Sequence, residues 1–146
     1  MSTYQKIVVG TDGSKSSLLA VERAAAIAAA FDATLIIGCA YYENNEEASK
    51  TLRQDSVTIL GDDTAQKNLA AGEEAARSAG ATRIEKAVRP GTPVEALMAI
   101  VNENNADLLV VGNRGINSLT GRLLGSVPAD VARQSDCDVM IVHTVD

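Results

Sequence analysis

Short apolar segments alternate with longer amphipathic segments along this chain. The apolar segments contain many β-branched residues and predict strands at residues 6–10, 33–40, 83–88, 107–112 and 138–144. Between them, apolar side chains recur every three or four residues, which gives a helix one buried face. This spacing predicts helices at 14–31, 62–79, 92–104 and 127–134. The alternation indicates an α/β fold with a parallel sheet, because each parallel connection needs a crossover that a helix supplies.

The order of the strands can be predicted from their burial. The segments KIVVG and LLVVG are apolar throughout, which is typical of strands covered on both faces. Such strands lie centrally in a doubly wound five-stranded sheet, for which we expect the order 3-2-1-4-5. In that order the first and fourth strands are neighbours, and their connections leave on opposite faces. A crevice then opens at their carboxyl ends, where a ligand is expected to bind.

The composition indicates one globular domain that repels large anions. The 146 residues suit a single domain spanning 1–146, and 46% of them are apolar. A net charge of −6 disfavours nonspecific binding to nucleic acid or to an anionic membrane. No apolar run approaches the roughly 18 residues that span a bilayer, and the first residues are too polar for a signal peptide. We therefore expect a cytoplasmic protein.

Cysteine, aromatic and histidine residues restrict the chemistry further. Cys39 and Cys137 lie in apolar runs without a metal or redox spacing, so we expect buried, reduced thiols. The chain has no tryptophan and one phenylalanine, which argues against a large aromatic cofactor cradle. His143, the sole histidine, falls in the last predicted strand and is expected to be packed or at an interface.

The loop after the first strand, TDGSKSS, has two interpretations. In the first, Gly10 and Gly13 make a tight strand-to-helix turn, and Asp12 and Ser14 only cap the helix. In the second, the Asp12 carboxylate accepts hydrogen bonds from a ribose hydroxyl or a base amine at the crevice. The hydroxyl-rich loop also has a faint similarity to the phosphate loop of flavodoxin-like proteins, so a flavin-binding electron carrier stays open.

The segment GNRGINSLTGRLLGS after the fourth strand holds four of the chain's eleven glycines. Glycines there can adopt positive φ or let a ligand approach the main chain closely. Ser126 is expected to N-cap the last helix, whose free N–H groups and dipole favour an anion such as phosphate. Gly115, Ser126 and Val127 would supply the amides, because Pro128 has no N–H. Arg114 and Arg122 would add charge-assisted contacts or stay solvated.

Familiar nucleotide motifs do not account for these loops. The sequence contains neither a Walker-type G-x-x-x-x-G-K-[ST] loop nor a G-x-G-x-x-G turn after the first strand. A receiver domain would need an aspartate at the end of the third strand and a lysine at the end of the fifth. This chain has VRPG and His143 at those places.

The spacing of Gly112, Gly115, Gly125 and Ser126 fits the pattern G-x2-G-x9-G-[ST]. The opening KIVVGTDGSKSS and the later DLLVVGNRG extend the match over nearly the whole chain. With these features the chain resembles the nucleotide-binding branch of the universal stress protein family. That family has a Rossmann-like sheet of order 3-2-1-4-5, the order expected above.

The resemblance implies a role for each residue around the crevice. Asp12 would contact the adenine or ribose, with Thr11 beside it, and Ala40 would present main-chain groups to the base. Val111 and Gly112 would line the ribose and first phosphate, and the glycine-rich segment would hold the phosphates. The expected nucleotide site consists of Gly10, Thr11, Asp12, Ala40, Val111, Gly112, Arg114, Gly115, Gly125, Ser126 and Val127.

The resemblance also implies a function. We expect a regulatory protein that binds ATP or cyclic AMP, with Mg²⁺ accompanying ATP, and that is not an efficient enzyme. Pro128 removes a phosphate donor and favours a ligand with fewer phosphates. The family commonly pairs its final strand across a two-fold axis, so a homodimer through residues 138–145 is expected. A slow ATPase or an interaction scaffold remains open beside the flavin alternative.

Overall fold

The predicted segments fold into five parallel strands and their connecting helices in a computed structural model, which describes residues 3–41, 62–113 and 126–144. The strands are β1 Lys6–Gly10, β2 Thr34–Tyr41, β3 Arg83–Pro90, β4 Leu108–Gly112 and β5 Asp138–Val142. The helices within these ranges are α1 Lys15–Phe31, α2 Asp62–Ser78, α3 Pro93–Asn104 and α4 Ser126–Gln134. The sheet order is β3-β2-β1-β4-β5, which confirms the predicted α/β topology.

Alternate residues of the central strands enter two separate cores. Ile7 and Val9 of β1 pack on the face covered by α1 and α2, whereas Val8 packs on the face covered by α3 and α4. All three side chains are fully buried, as expected for a continuously apolar central strand. The helix that follows β1 and the helix that follows β4 therefore lie on opposite faces of the sheet.

The helix ends follow the local chemistry of their residues. Ser14 caps α1 by accepting a hydrogen bond from the Ser17 amide, and Gly80 follows α2 with a φ of +109°, as the sequence predicts. Thr92 and Glu95 form a reciprocal capping box at the start of α3. These bonds satisfy amides that have no partner within the helix itself.

Three expectations need correction at the carboxyl end of the chain. β5 ends at Val142, so His143 is exposed and lies beyond the strand. Thr144 also lies beyond the strand, and its amide donates to the Asn113 side chain instead of to a neighbouring strand. α4 begins at Ser126, which is its first residue and not a cap preceding it. Cys137 is only half-buried, because it lies where the chain enters the edge strand β5; Cys39 is buried as expected.

Candidate functional site

The carboxyl edge of the sheet contains a notch above β1. β1 pairs with β2 as far as Gly10 opposite Gly38, and with β4 as far as Val9 opposite Val110. β2 then continues to Tyr41 and β4 to Gly112. Both neighbours therefore extend past the end of β1, and the connections of β1 and β4 leave on opposite faces. This is the position where open α/β sheets bind ligands.

Main-chain groups of Ala40 point toward the notch. Along a parallel strand, successive residues direct their N–H and C=O groups to alternate neighbours. The Gly38 carbonyl faces β1, because it accepts the Thr11 amide at 2.9 Å; the Tyr41 carbonyl faces β3, because it accepts the Gly91 amide at 2.9 Å. The main-chain N–H and C=O groups of Ala40 therefore point in the same direction as those of Gly38, toward the space beyond the last residue of β1. The notch has a donor and an acceptor on this wall.

Thr11 holds the first loop in place. Its side chain is buried, and its oxygen lies 3.0 Å from Ser17 Oγ while accepting the Gly13 amide at 3.2 Å. Ser17 donates its own hydroxyl proton to the Ser14 carbonyl at 2.9 Å, so Thr11 is the donor in the Thr11–Ser17 bond. This chain of bonds fixes the path from β1 to α1. The structure thus gives Thr11 a supporting part in the site.

Asp12 makes the local turn of the first interpretation, and the second interpretation stays a prediction. Its Oδ1 accepts the Ser14 amide at 2.9 Å, a local turn that orients the half-buried side chain. An ionised carboxylate has about four acceptor positions on its two oxygens. Capping the turn therefore leaves acceptor capacity for a ligand in the notch.

Two of the predicted site glycines are closely packed. A Cβ atom at Gly10 would lie 3.0 Å from both Leu97 methyl carbons, and one at Gly112 would lie 2.9 Å from Ser16 Oγ. Both glycines end strands in extended conformation, so neither needs positive φ. Gly13 is different, because its φ is +84°. The turning role expected for Gly10 belongs to Gly13.

A buried polar cluster closes one side of the notch, and the sequence patterns do not indicate it. Asn113 Oδ1 accepts both the amide and the hydroxyl of Thr144 at 3.0 Å. Thr144 Oγ1 then accepts a hydrogen bond from the hydroxyl of Ser16 in α1. The only sequence signal is an asparagine placed directly after a buried strand. The cluster joins the end of β4 and the chain after β5 to the first turn of α1.

Asn68 of α2 is a further residue at the notch that the helical pattern does not reveal. A Cβ atom at Gly13 would lie 2.5 Å from Asn68 Oδ1, so the side chain rests against the first loop. Burial raises the pKa of the Cys39 thiol to about 11, partly offset by a hydrogen bond from Asn68. Asn68 therefore lies between the end of β1 and the end of β2.

The phosphate side of the predicted site is described only in part. Because β4 and β5 are parallel, the chain returns from the carboxyl edge through α4, which begins at Ser126. Val127 is partly buried against the core formed with α3. Arg114, Gly115 and Gly125 lie outside the described residues, so their expected roles stay predictions.

A second groove, at the amino edge of the sheet, has polar groups that are already engaged. The Asp107 carboxylate accepts the amides of Gln5 and Lys6 at 3.0 to 3.1 Å, and the Tyr4 hydroxyl donates to Asp138 at 2.8 Å. These bonds hold the first strand to its neighbours. The carboxyl edge is therefore the better candidate for a ligand.

Comparison with known proteins shows the family of this chain. Residues 3–143 match the model of the universal stress protein family, and the chain belongs to that family. Universal stress protein Rv1636 of Mycobacterium tuberculosis is 49% identical over 146 residues, a match that covers 99% of each chain. These findings confirm the family resemblance seen in the sequence.

Solved structures support the same assignment. A universal stress protein crystallised in complex with cyclic AMP is 48% identical and has a TM-score of 0.76, covering 99% of this chain and 100% of that one. A universal stress protein from Archaeoglobus fulgidus in complex with dAMP has a TM-score of 0.67 and covers 96% of this chain and 98% of its own. It is 20% identical and shows the fold alone. Across the three described ranges, none of the helices is both long and apolar enough to cross a membrane.

Proposed function

We propose that this chain is a single nucleotide-binding domain that binds an adenine nucleotide in the notch, with cyclic AMP as its first ligand. The observation that carries the proposal is the pair of overhanging strands, which leaves Ala40 main-chain groups facing a space beside the loop that carries Asp12. The 48% identical structure in complex with cyclic AMP supports the choice of ligand.

The proposed contacts follow the geometry of the two walls. Ala40 supplies a donor and an acceptor to the base edge, and Asp12 accepts from a ribose hydroxyl. Gly10 and Thr11 shape the loop that holds Asp12, while Val111 and Gly112 line the ribose on the β4 side. The remaining members of the proposed site hold the phosphate: Arg114, Gly115, Gly125, Ser126 and Val127.

A ligand with one phosphate suits this chain better than a triphosphate. A helix N-terminus attracts an anion through free amides, and Pro128 removes one of the first amides of α4. ATP with Mg²⁺ is the alternative ligand, in which the phosphates and water would supply most of the metal's oxygen ligands. Parallel titrations separate these two ligands.

We propose that binding serves sensing or sequestration in a stress response and not rapid catalysis. Efficient phosphoryl transfer needs metal ligands, a cationic clamp and a group that orients the nucleophile. In the ranges that the structure describes, no three His, Cys, Asp or Glu side chains converge as metal ligands. Asp12 bonds to its own turn and, in this proposal, to the ribose, so it does not orient a nucleophile. ATP hydrolysis should accordingly be slow.

Calorimetric titration with cyclic AMP, AMP and ATP, with and without Mg²⁺, tests the proposal. We expect a dissociation constant in the region of about 1 to 100 μM for cyclic AMP, because few charged groups hold a small ligand. Asp12→Asn keeps the oxygen that accepts the Ser14 amide but loses the charge. It should weaken binding roughly 10- to 100-fold, the equivalent of one charge-assisted hydrogen bond.

A matched variant controls for the loss of one negative charge. Asp136 is exposed at the opposite edge of the sheet, so Asp136→Asn should leave binding unchanged. No binding of any adenine nucleotide by the unmodified protein would reject the proposed function. Bound flavin in the purified protein would instead favour the electron-transfer alternative.

We further propose a homodimer formed through β5. β5 is an edge strand of the sheet, and edge strands need a partner or a cover. Three of its five residues are partly buried: Val139, Met140 and Ile141. The pairing with the second copy would begin at Asp138, the first residue of β5. Val145 of the predicted contact lies outside the described residues. Sedimentation equilibrium tests the dimer, and a monomer at all concentrations would reject it.

The cytoplasmic location and the lack of nucleic-acid partners stay sequence predictions.

A further inference from the structure

We propose that the carboxamide of Asn68 reads the base edge and makes the notch prefer adenine over guanine. The inference rests on the proposed nucleotide site and adds a specificity-determining residue to it. It assigns a function to a helix that the nucleotide motif of the sequence does not include.

The first support is the position of Asn68 relative to the Asp12 loop. A Cβ atom at Gly13 would lie 2.5, 2.9 and 3.3 Å from Asn68 Oδ1, Cγ and Nδ2. Thus the whole carboxamide lies over Gly13, and the absence of a side chain there permits this approach. Gly13 also adopts a φ of +84°, which presents its main chain to α2 in a conformation that other residues rarely adopt.

The second support comes from the other wall of the notch. The Asn68 side chain lies close enough to the Cys39 thiol to lower its pKa, and that thiol donates to the Ala40 carbonyl at 3.6 Å. The carboxamide therefore lies beside the strand end whose main-chain groups face the proposed base position. Its side chain is only half-buried, so part of it remains accessible from solvent. Leu69, the next residue, is buried in the core and fixes the rotation of α2.

The chemistry of a carboxamide suits adenine. An asparagine side chain offers one acceptor oxygen and an NH₂ donor on the same planar group. Adenine presents the complement, an amino donor beside a ring-nitrogen acceptor, whereas guanine has an acceptor oxygen in place of that amino group. Asn68 therefore pairs with both adenine atoms and meets a mismatch at guanine.

The test compares cyclic AMP with cyclic GMP by calorimetry. The two ligands share one ribose and one phosphate, so effects on those contacts cancel in the ratio of their dissociation constants. The unmodified protein should prefer cyclic AMP, and Asn68→Ala should reduce this preference about tenfold, within the range of discrimination that a bidentate base contact gives. Asn68→Leu, which keeps a similar size and shape but has no hydrogen-bonding group, should reduce the preference in the same way.

A matched variant and a folding check complete the experiment. Asn102→Ala removes an exposed asparagine from α3 and should leave the ratio unchanged. Circular dichroism and thermal melting establish that each variant is folded. Because Asn68→Leu keeps a similar size and shape, it keeps the test decisive if the alanine variant fails to fold.

The possible results separate this inference from the proposed function. No binding of cyclic AMP by the unmodified protein rejects the proposed function itself. A preference for cyclic AMP that is unchanged in both Asn68 variants overturns the inference and leaves the proposed function standing. Equal weakening of both nucleotides also overturns it, because Asn68 would then only support the wall through Cys39. A ratio that moves toward guanine in the variants confirms base reading.

Discussion

Gly13→Ala tests the contact between the first loop and α2. Gly13 has a φ of +84°, so alanine must adopt a left-handed conformation, which costs about 1 to 2 kcal/mol. The new Cβ would also lie 2.5 Å from Asn68 Oδ1, and the carboxamide must move away. Forcing the carboxamide out of its packed position adds about 1 kcal/mol, at the lower end of the cost of overpacking. The expected loss of unfolding free energy is therefore about 2 to 3 kcal/mol.

The assay is urea denaturation of four proteins: unmodified, Gly13→Ala, Asn68→Ala and the double variant. In the Asn68→Ala background, Gly13→Ala should cost only the backbone strain, so the coupling between the two changes should be about 1 kcal/mol. Gly80→Ala is the matched control. Gly80 has a φ of +109°, but among residues 3–41, 62–113 and 126–144 its Cβ would meet the Ala29 methyl group at an ordinary contact distance of 3.4 Å.

Additive free energies would refute the contact. If Gly13→Ala costs the same with and without Asn68, and no more than Gly80→Ala, the carboxamide does not rest against the first loop. The inference about base reading would then lose its geometric support as well.

Three further predictions concern stability. Asn113→Ala removes the acceptor of the buried Thr144 amide and hydroxyl, and should lower the free energy of unfolding by about 2 to 4 kcal/mol in urea titrations. Gly38→Ala places a Cβ atom 2.8 Å from Ile100 Cδ1, so we expect about 1 to 3 kcal/mol of destabilisation in the same assay. For the Cys39 thiol, the folded pKa of about 11 lies above the ordinary value of 9.0, so the unfolded chain releases this proton first. Stability present below about pH 9 should therefore fall by up to about 2 to 3 kcal/mol toward pH 11, and Cys39→Ala should flatten that slope.

Each of these predictions has a contradicting result. A loss below about 0.5 kcal/mol for Asn113→Ala would mean that water or another group satisfies Thr144. A neutral Gly38→Ala would show that α3 does not pack closely on β2. An alkaline slope that persists without Cys39 would have to come from other titrating groups.

The fold was predictable because its signals are local and repetitive. Continuous apolar runs mark β1 and β4 as central strands, and three-four spacing marks the helices. Each parallel connection also needs a crossover helix, so these signals are compatible with few strand orders. The observed order is β3-β2-β1-β4-β5. The position of the notch follows from that order. Strand ends were less predictable, since β3 extends to Pro90 and β5 ends at Val142.

The details of the site depend on contacts between distant segments. Asn68 approaches Gly13 only because α2 packs at one rotation on β2, which helical periodicity alone does not determine. In the sequence motif, Gly112 is expected to let a ligand approach the main chain closely. In the structure, it also leaves room for the Ser16 side chain. Asn113 acquires its role from Thr144, and no pattern of spacing connects them. Tertiary contacts of this kind lie beyond single-sequence reasoning.

Amide chemical-shift changes on adding cyclic AMP show whether the nucleotide binds in the notch. We expect the largest shifts around the notch, at the amides of Gly10, Asp12, Ala40 and Gly112. Shifts centred instead on the amino-edge groove near Asp107, or no shifts at saturating cyclic AMP, would contradict it.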